Sequence, residues 1–138
     1  MKISTRGRYA LRVLIDLAEH DSNGLIALKT VAERQALSLK YIERILPVLT
    51  KGGLVDGIQG KGGGCRLAKE PKEIRVGDVL RLTEGDLAPV GCLQFGAAPC
   101  PRAQYCKTLP MWRGFQDMIN DYFDSITLED LMKNPAQL

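Results

Sequence analysis

The stretch from Lys29 to Leu67 restricts the fold more than any other part of the chain. A brief helix is expected around Val31 and Ala32, and Ala36-Leu37 then turns into Ser38, a residue whose hydroxyl suits the start of a second helix. From Leu39 to about Lys51 the apolar Ile42, Ile45, Leu46 and Leu49 recur at helical spacing, leaving Lys40, Tyr41, Glu43, Arg44 and Lys51 outside. Pro47 inside this helix removes one backbone donor, so a bend is expected there. Gly52-Gly53 ends it. Leu54–Ile58 then alternates apolar and polar residues, and Cys65–Ala68 can return as its partner across a Gly-rich, basic tip. Two short helices joined by a tight turn, followed by such a hairpin, form a winged helix-turn-helix pattern whose second helix suits a DNA major groove. The glycine run is not a nucleotide-binding loop, because no Lys-Ser or Lys-Thr follows it.

Around this pattern the chain carries further helices. Ala10, Val13, Leu14, Leu17 and Ala18 mark a first helix from about Thr5 to His20, stopped by Asp21–Gly24. His20, the one histidine, sits in its last turn as a capping surface residue. Leu25–Ala27 is a short apolar stub. A helix from Val76 to Thr83 leads into the loop Val90–Lys107, which holds three of the four cysteines and has no regular periodicity. After Pro110 the pattern Met111, Trp112, Phe115, Met118, Ile119, Tyr122, Phe123, Ile126 predicts a long helix. Its apolar face is large for so short a chain, which points to a two-fold seam built from Trp112, Phe115, Ile119, Tyr122 and Phe123. Thr127–Asp130 caps a last short helix. The expected fold is mainly α with a small β-hairpin wing. Residues 1–70 are expected to form the winged helix-turn-helix domain, and residues 71–138 a dimerisation and sensor region around the cysteine loop 90–107.

Charge and cysteine usage narrow the function. Residues 1–70 carry 12 Lys and Arg against 7 Asp and Glu, whereas residues 71–138 carry 7 against 9. A basic front half suits a nucleic-acid partner. The apolar runs are too short to span a bilayer, and the opening Met-Lys-Ile-Ser-Thr-Arg-Gly-Arg lacks a secretory pattern, so a cytoplasmic protein is expected. In a reducing compartment four cysteines argue for metal or redox chemistry over disulfides. No nucleophile-base pair emerges, and Asp117, Asp121 and Asp124 read as the solvated face of a helix, so neither an enzyme nor a small-molecule substrate is expected.

Taken together, Lys2–Ala10, Ser38–Glu43, Gly53-Leu-Val55, Gly60–Leu67, Val76–Val79 and Trp112 make the chain resemble the Rrf2 family of winged-helix transcriptional regulators, in particular its iron-sulfur cluster regulators of the IscR type. The resemblance covers nearly the whole chain. It implies a homodimeric repressor or activator on a roughly palindromic double-stranded operator, with Ser38, Lys40, Tyr41 and Glu43 as recognition-helix contacts and Gln59, Lys61, Gly62 and Gly63 as wing contacts. Glu43 can accept from a cytosine amino group and Lys40 can donate to guanine. Lys2, Arg6 and Arg8 add phosphate contacts. Gln59 stands where cluster-binding relatives often have Arg, and Cys65 where an aromatic residue is common, which suits Cys65 to filling a small buried site.

The spacing of Cys92, Cys100 and Cys106 is similar to that of the cluster-binding members, which implies a [2Fe-2S] or [4Fe-4S] iron-sulfur cluster held by three thiolates. The usual fourth-ligand places hold Leu109 and Arg8, so the coordination set is incomplete and the cluster labile. Zinc is disfavoured because structural zinc sites prefer four ligands and the loop has no His. Two other readings remain: a cluster-free thiol-sensing repressor of cysteine or sulfur metabolism, and an electron-transfer or cluster-carrier protein that leaves the wing without a role.

Overall fold

The computed structural model describes residues 2–21, 24–58, 60 and 62–133. Helix α1, Thr5–Glu19, is capped by Ser4, whose hydroxyl accepts from the Gly7 amide. It buries Ala10, Val13, Leu14 and Leu17 against α2, Leu28–Gln35, and α3, Leu39–Lys51. The turn between α2 and α3 is made by Ala36 at φ 53°, a left-handed position that lets the Leu37 amide return to the Ala32 carbonyl. Ser38 then caps α3, its hydroxyl accepting from the Tyr41 amide at 3.1 Å, a contact worth about 1 kcal/mol. Pro47 is exposed and α3 continues past it to Lys51.

Strands β1, Val55–Ile58, and β2, Gly64–Leu67, pair antiparallel with Asp56 opposite Arg66 and Ile58 opposite Gly64. The apolar stub before α2 does more than connect. Ile26 and Cys65 exchange both backbone hydrogen bonds at 2.8 Å, so the wing is anchored to the body through a third, one-residue strand. This explains two glycines. A Cβ on Gly64 would lie 2.5 Å from the Ile26 carbonyl oxygen, and one on Gly63 would lie 2.1 Å from the Ile58 carbonyl oxygen, so both are required by close backbone approach inside the chain.

Packing crosses residue 70. Ile74, Val79 and Leu128 are all buried in the same core as α1 and α3. Helix α4, Val76–Glu84, lies on α1, and the short α6, Leu128–Leu131, which a reciprocal capping box between Thr127 and Asp130 starts, also packs on α1. Backbone bonds from Val76 to Ile126 and from Leu128 to Ile74, both 2.9 Å, fix the two chain passages side by side. The long helix α5, Leu109–Asp124, sits on α4 over a second, smaller core of Val76, Leu80, Leu87 and Ile119. Arg81 clamps this contact. Its guanidinium reaches Asn120 Oδ1 at 2.9 Å and both Asp124 oxygens at 2.7 Å, so Asp124 belongs to the α4–α5 joint and not to a freely solvated face.

That placement divides the apolar residues of α5 between two sides. Ile119 is buried in the chain's own second core and Phe123 packs against it, because α4 lies beneath that side. The side left exposed carries Met111, Phe115, Met118 and Tyr122, with Met118 69% exposed, while Trp112 is half-buried. Of the five residues expected at a seam, Phe115 and Tyr122 lie on this exposed side beside Met111 and Met118, Trp112 and Phe123 are half-buried, and Ile119 is buried.

Candidate nucleic-acid interface and cysteine loop

The end of α2, just before the turn into α3, is tied to α1 by a buried ionic lock that the helical pattern does not single out. Asp16 on α1 has a fully buried carboxylate, and Arg34 at the end of α2 grips it at 2.7 Å and 3.0 Å, with the Gln35 amide adding a bond at 2.9 Å. Burial pushes this carboxyl up, but the Arg34 and Gln35 hydrogen bonds and the Arg34 charge outweigh it and hold Asp16 below the usual range. Arg12, a turn before Asp16, also bonds the Gln35 side chain and carbonyl. His20 closes the last turn of α1, its Nδ1 2.8 Å from the Asp16 carbonyl oxygen. The turn into α3 is thus fixed from α1.

At the cap and in the first half of α3 the exposed positions are Ser38, Leu39, Lys40, Glu43 and Arg44. Tyr41 is half-buried and meets Tyr9 of α1 edge-on at 5.3 Å, while the Arg12 and Arg8 guanidinium groups lie over the Tyr9 ring at 5.2 and 5.8 Å. Arg6, Tyr41 and Arg44 line one shallow depression, so the first turn of α1 and the middle of α3 form a continuous basic edge. On the other side of α3, Glu43, Leu39 and Leu46 face a groove shared with Lys29 and the wing residues Ile58, Gly60, Gly62 and Gly63. Arg44 and Lys29 are further exposed cations lining these two surfaces, and the helical spacing of α2 and α3 is the signal that places them. Lys2, Arg6 and Arg8 are exposed. The expected wing contacts Gln59 and Lys61 lie outside the described residues.

The four cysteines fall into two environments. Cys65 is fully buried in the main core, and burial, with the Asp16 charge adding, pushes its thiol up to about 11. Cys92 is exposed, and Cys100 and Cys106 are half-buried on a loop whose residues 94–99 and 101–105 are all exposed, Phe95 at 98%. The loop is held by a handful of polar contacts. Asp86 accepts from the Ala88 amide at 3.0 Å and from the Phe95 amide at 2.9 Å, Gln116 of α5 reaches the Leu93 carbonyl at 3.4 Å, and Leu87 is buried in the second core. At its far end Cys106 lies 3.4 Å from the Thr108 hydroxyl, and hydrogen bonds from Thr108 and from the Leu109 backbone hold its thiol below the ordinary range.

Three thiols, one of them held below the ordinary thiol range, are a donor set that suits soft iron-sulfur chemistry. Among the described residues, however, no three His, Cys, Asp or Glu side chains converge as a metal-holding group. The residue types fit the chemistry, and holding a cluster would require the loop to bring them together. The Leu109 side chain has no donor atom and the Arg8 guanidinium is cationic, so neither supplies a fourth ligand. No helix of the described residues is long and apolar enough to cross a membrane.

Comparisons with known proteins agree with this architecture. The family model described as Rrf2, iron-dependent transcriptional regulator, matches residues 3–134. The HTH-type transcriptional regulator IscR of Pectobacterium atrosepticum is 36% identical over all of this chain and 83% of its own length. The solved structure of CymR, the global cysteine regulator of B. subtilis, is similar with a TM-score of 0.75 and 37% identity, covering 96% of each chain. That of T. potens IscR has a TM-score of 0.74 and 38% identity, covering all of this chain and 92% of the other.

Proposed function

The chain belongs to the Rrf2 family of transcriptional regulators, and from that premise we propose that it is a homodimeric, operator-binding regulator whose DNA affinity is tuned by an iron-sulfur cluster on Cys92, Cys100 and Cys106. The observation that carries the DNA reading is the exposed face Ser38, Lys40, Glu43 at the start of a helix whose other side is packed into the core through Ile42, Ile45 and Leu49, just after the α2 end that Arg34 ties to Asp16. A helix so fixed presents its polar side chains without having to order them on binding. In this reading Glu43 accepts from a cytosine amino group, Lys40 donates to guanine, and Tyr41 stays braced on Tyr9 near the backbone. Arg6, Arg8, Arg44 and Lys2 meet phosphates, while Gly62 and Gly63, with Gln59 and Lys61 beside them, follow the minor groove.

Met111, Phe115, Met118 and Tyr122 form the face against a second copy. A Met118→Asp variant is expected to shift sedimentation toward the monomer.

When bound, an iron-sulfur cluster supplies a centre that thiolates hold and that oxygen, nitric oxide or iron shortage can remove. The chain's part is to draw its three thiols together, which requires residues 92–106 to close against the contacts made by Asp86 and Gln116. A second reading, a cluster-free thiol regulator, is favoured by the likeness to a cysteine regulator and by the open arrangement of the three thiols.

Selection of bound sequences from a random DNA pool, followed by affinity measurements, tests the DNA reading. Glu43→Ala is expected to relax preference at one position per half-site by about 1–3 kcal/mol, whereas Arg6→Ala weakens all sequences alike and lowers the salt slope. A pool that yields no enriched sequence contradicts the reading.

A further inference from the structure

Two acidic residues at the end of α4 hold two distant parts of the chain. Glu84 Oε1 accepts the Ser4 hydroxyl at 2.6 Å and the Ser4 backbone amide at 3.0 Å, a contact between residues 80 apart in sequence. Ser4 is itself the cap of α1, its hydroxyl accepting from the Gly7 amide at 3.3 Å. The carboxylate lies so close to α1 that a Cβ on Gly7 would come within 2.4 Å of it. Two residues later, past Gly85 at φ 90°, Asp86 accepts the Ala88 and Phe95 amides and so sets the first turn of the cysteine loop.

We infer that Glu84 is a positioning residue that couples the conformation of the cysteine loop to the placement of the basic first turn of α1. This rests on the function proposed above. Closing the loop over its thiols pulls on the Asp86–Phe95 bond, and the chain between Asp86 and Glu84 is a single glycine in a left-handed conformation. Leu87, buried beside Val76 and Leu80, keeps the following residue from absorbing the motion. Displacement of Glu84 removes both of its bonds to the α1 cap. Arg6 and Arg8, one turn further on, then lose their fixed position, and Tyr9 carries the change to Tyr41 on α3. Coupling of this kind between two sites is a measurable ratio of affinities, and a ratio of about fivefold or more is typical.

The test uses the full chain as wild type, Glu84→Ala and Glu84→Gln, the last keeping an oxygen that can accept from Ser4. Operator affinity is measured before and after anaerobic reconstitution with iron and sulfide, together with the salt dependence of the cluster-free protein and amide exchange at Gly7. The wild type is expected to bind about fivefold or more differently in the two states. Glu84→Ala should bring that ratio within about twofold of one, flatten the salt slope by about one or two phosphate contacts, and expose the Gly7 amide to exchange without loss of the fold. Glu84→Gln should retain much of the ratio. A wild-type difference that survives Glu84→Ala, with the salt slope and Gly7 exchange unchanged, overturns the coupling alone. Equal wild-type affinities with and without the cluster overturn the sensing reading, and the coupling with it.

Discussion

The helix-turn-helix unit and the cysteine loop differ in what holds them. In the first, a buried carboxylate, a guanidinium, an amide and a carbonyl tie α1 to the end of α2, and Ile42, Ile45 and Leu49 fill the space beneath α3. In the second, nearly every residue from Gln94 to Tyr105 is exposed and the fixed points are Asp86, Leu87 and Gln116 at its base. A surface that recognises a rigid duplex gains from being preformed, whereas a loop that must wrap a group gains from being unfilled until the group arrives. The difference between the regions is one of buried partners, and each of the following changes tests it.

The largest effect is expected for Arg34→Ala. It strands the buried Asp16 carboxylate without its main partner, and loss of about 3 kcal/mol should appear in denaturant unfolding. The effect has a pH signature. Asp16 titrates below the ordinary range in the folded wild type, so its contribution is present above about pH 4, the unfolded value, and is lost as the pH falls through the folded one. In the variant the same carboxyl is buried without the guanidinium, its folded value rises, and acid relieves it. The stability gap between the two proteins should therefore shrink as the pH drops, and a gap that is constant from pH 7 to pH 3 would mean Asp16 is not the group responsible.

Next comes Gly64→Ala, whose Cβ must displace the Ile26 backbone. About 2 kcal/mol of destabilisation is expected, with rapid exchange of the Ile26 and Cys65 amides. Smaller again is Cys65→Ala, which empties part of the main core and should cost about 1 kcal/mol. Replacing Cys92, Cys100 and Cys106 together by Ala should change the stability of the cluster-free protein by only about 0.5 kcal/mol or less, although it removes three side chains instead of one. Thiol alkylation of the folded protein sharpens the same contrast. Cys106 should react with a midpoint below that of an ordinary thiol, and Cys65 only on unfolding. Uniform labelling of all four would erase the distinction.

Most of the fold was legible because helical periodicity and glycine boundaries are local signals. The bounds expected for α1, α3 and α4 agree with the structure to within one residue, and Ser38 and Thr127 cap the helices they were assigned to. What escaped was long-range. The pairing of Ile26 with Cys65 had no pattern to betray it, since one residue cannot display a strand period. Asp16 reads as an interruption of an apolar stripe, and its partner is 18 residues away. The entry of Leu128 into the first core depends on how the chain returns after α5, which hydropathy does not encode. The same holds for α5: its apolar residues were recognised, but whether Ile119 faces α4 or a second copy follows only from where α4 lies. Among the candidate site residues, spacing puts Lys40 and Glu43 on the outer face of α3, where they lie, but it puts Tyr41 there too, and Tyr41 is half-buried against Tyr9; the cysteines gave a donor set without a geometry.

The most direct test of the account is anaerobic purification followed by visible absorption with iron and acid-labile sulfide assays, run beside the Cys92→Ala, Cys100→Ala, Cys106→Ala triple variant. The wild-type protein is expected to be brown, and its colour, iron and sulfide are all expected to vanish in a variant that remains folded. A wild type that stays colourless after reconstitution with iron and sulfide, or a triple variant that keeps the colour, would contradict the assignment of the cluster to this loop.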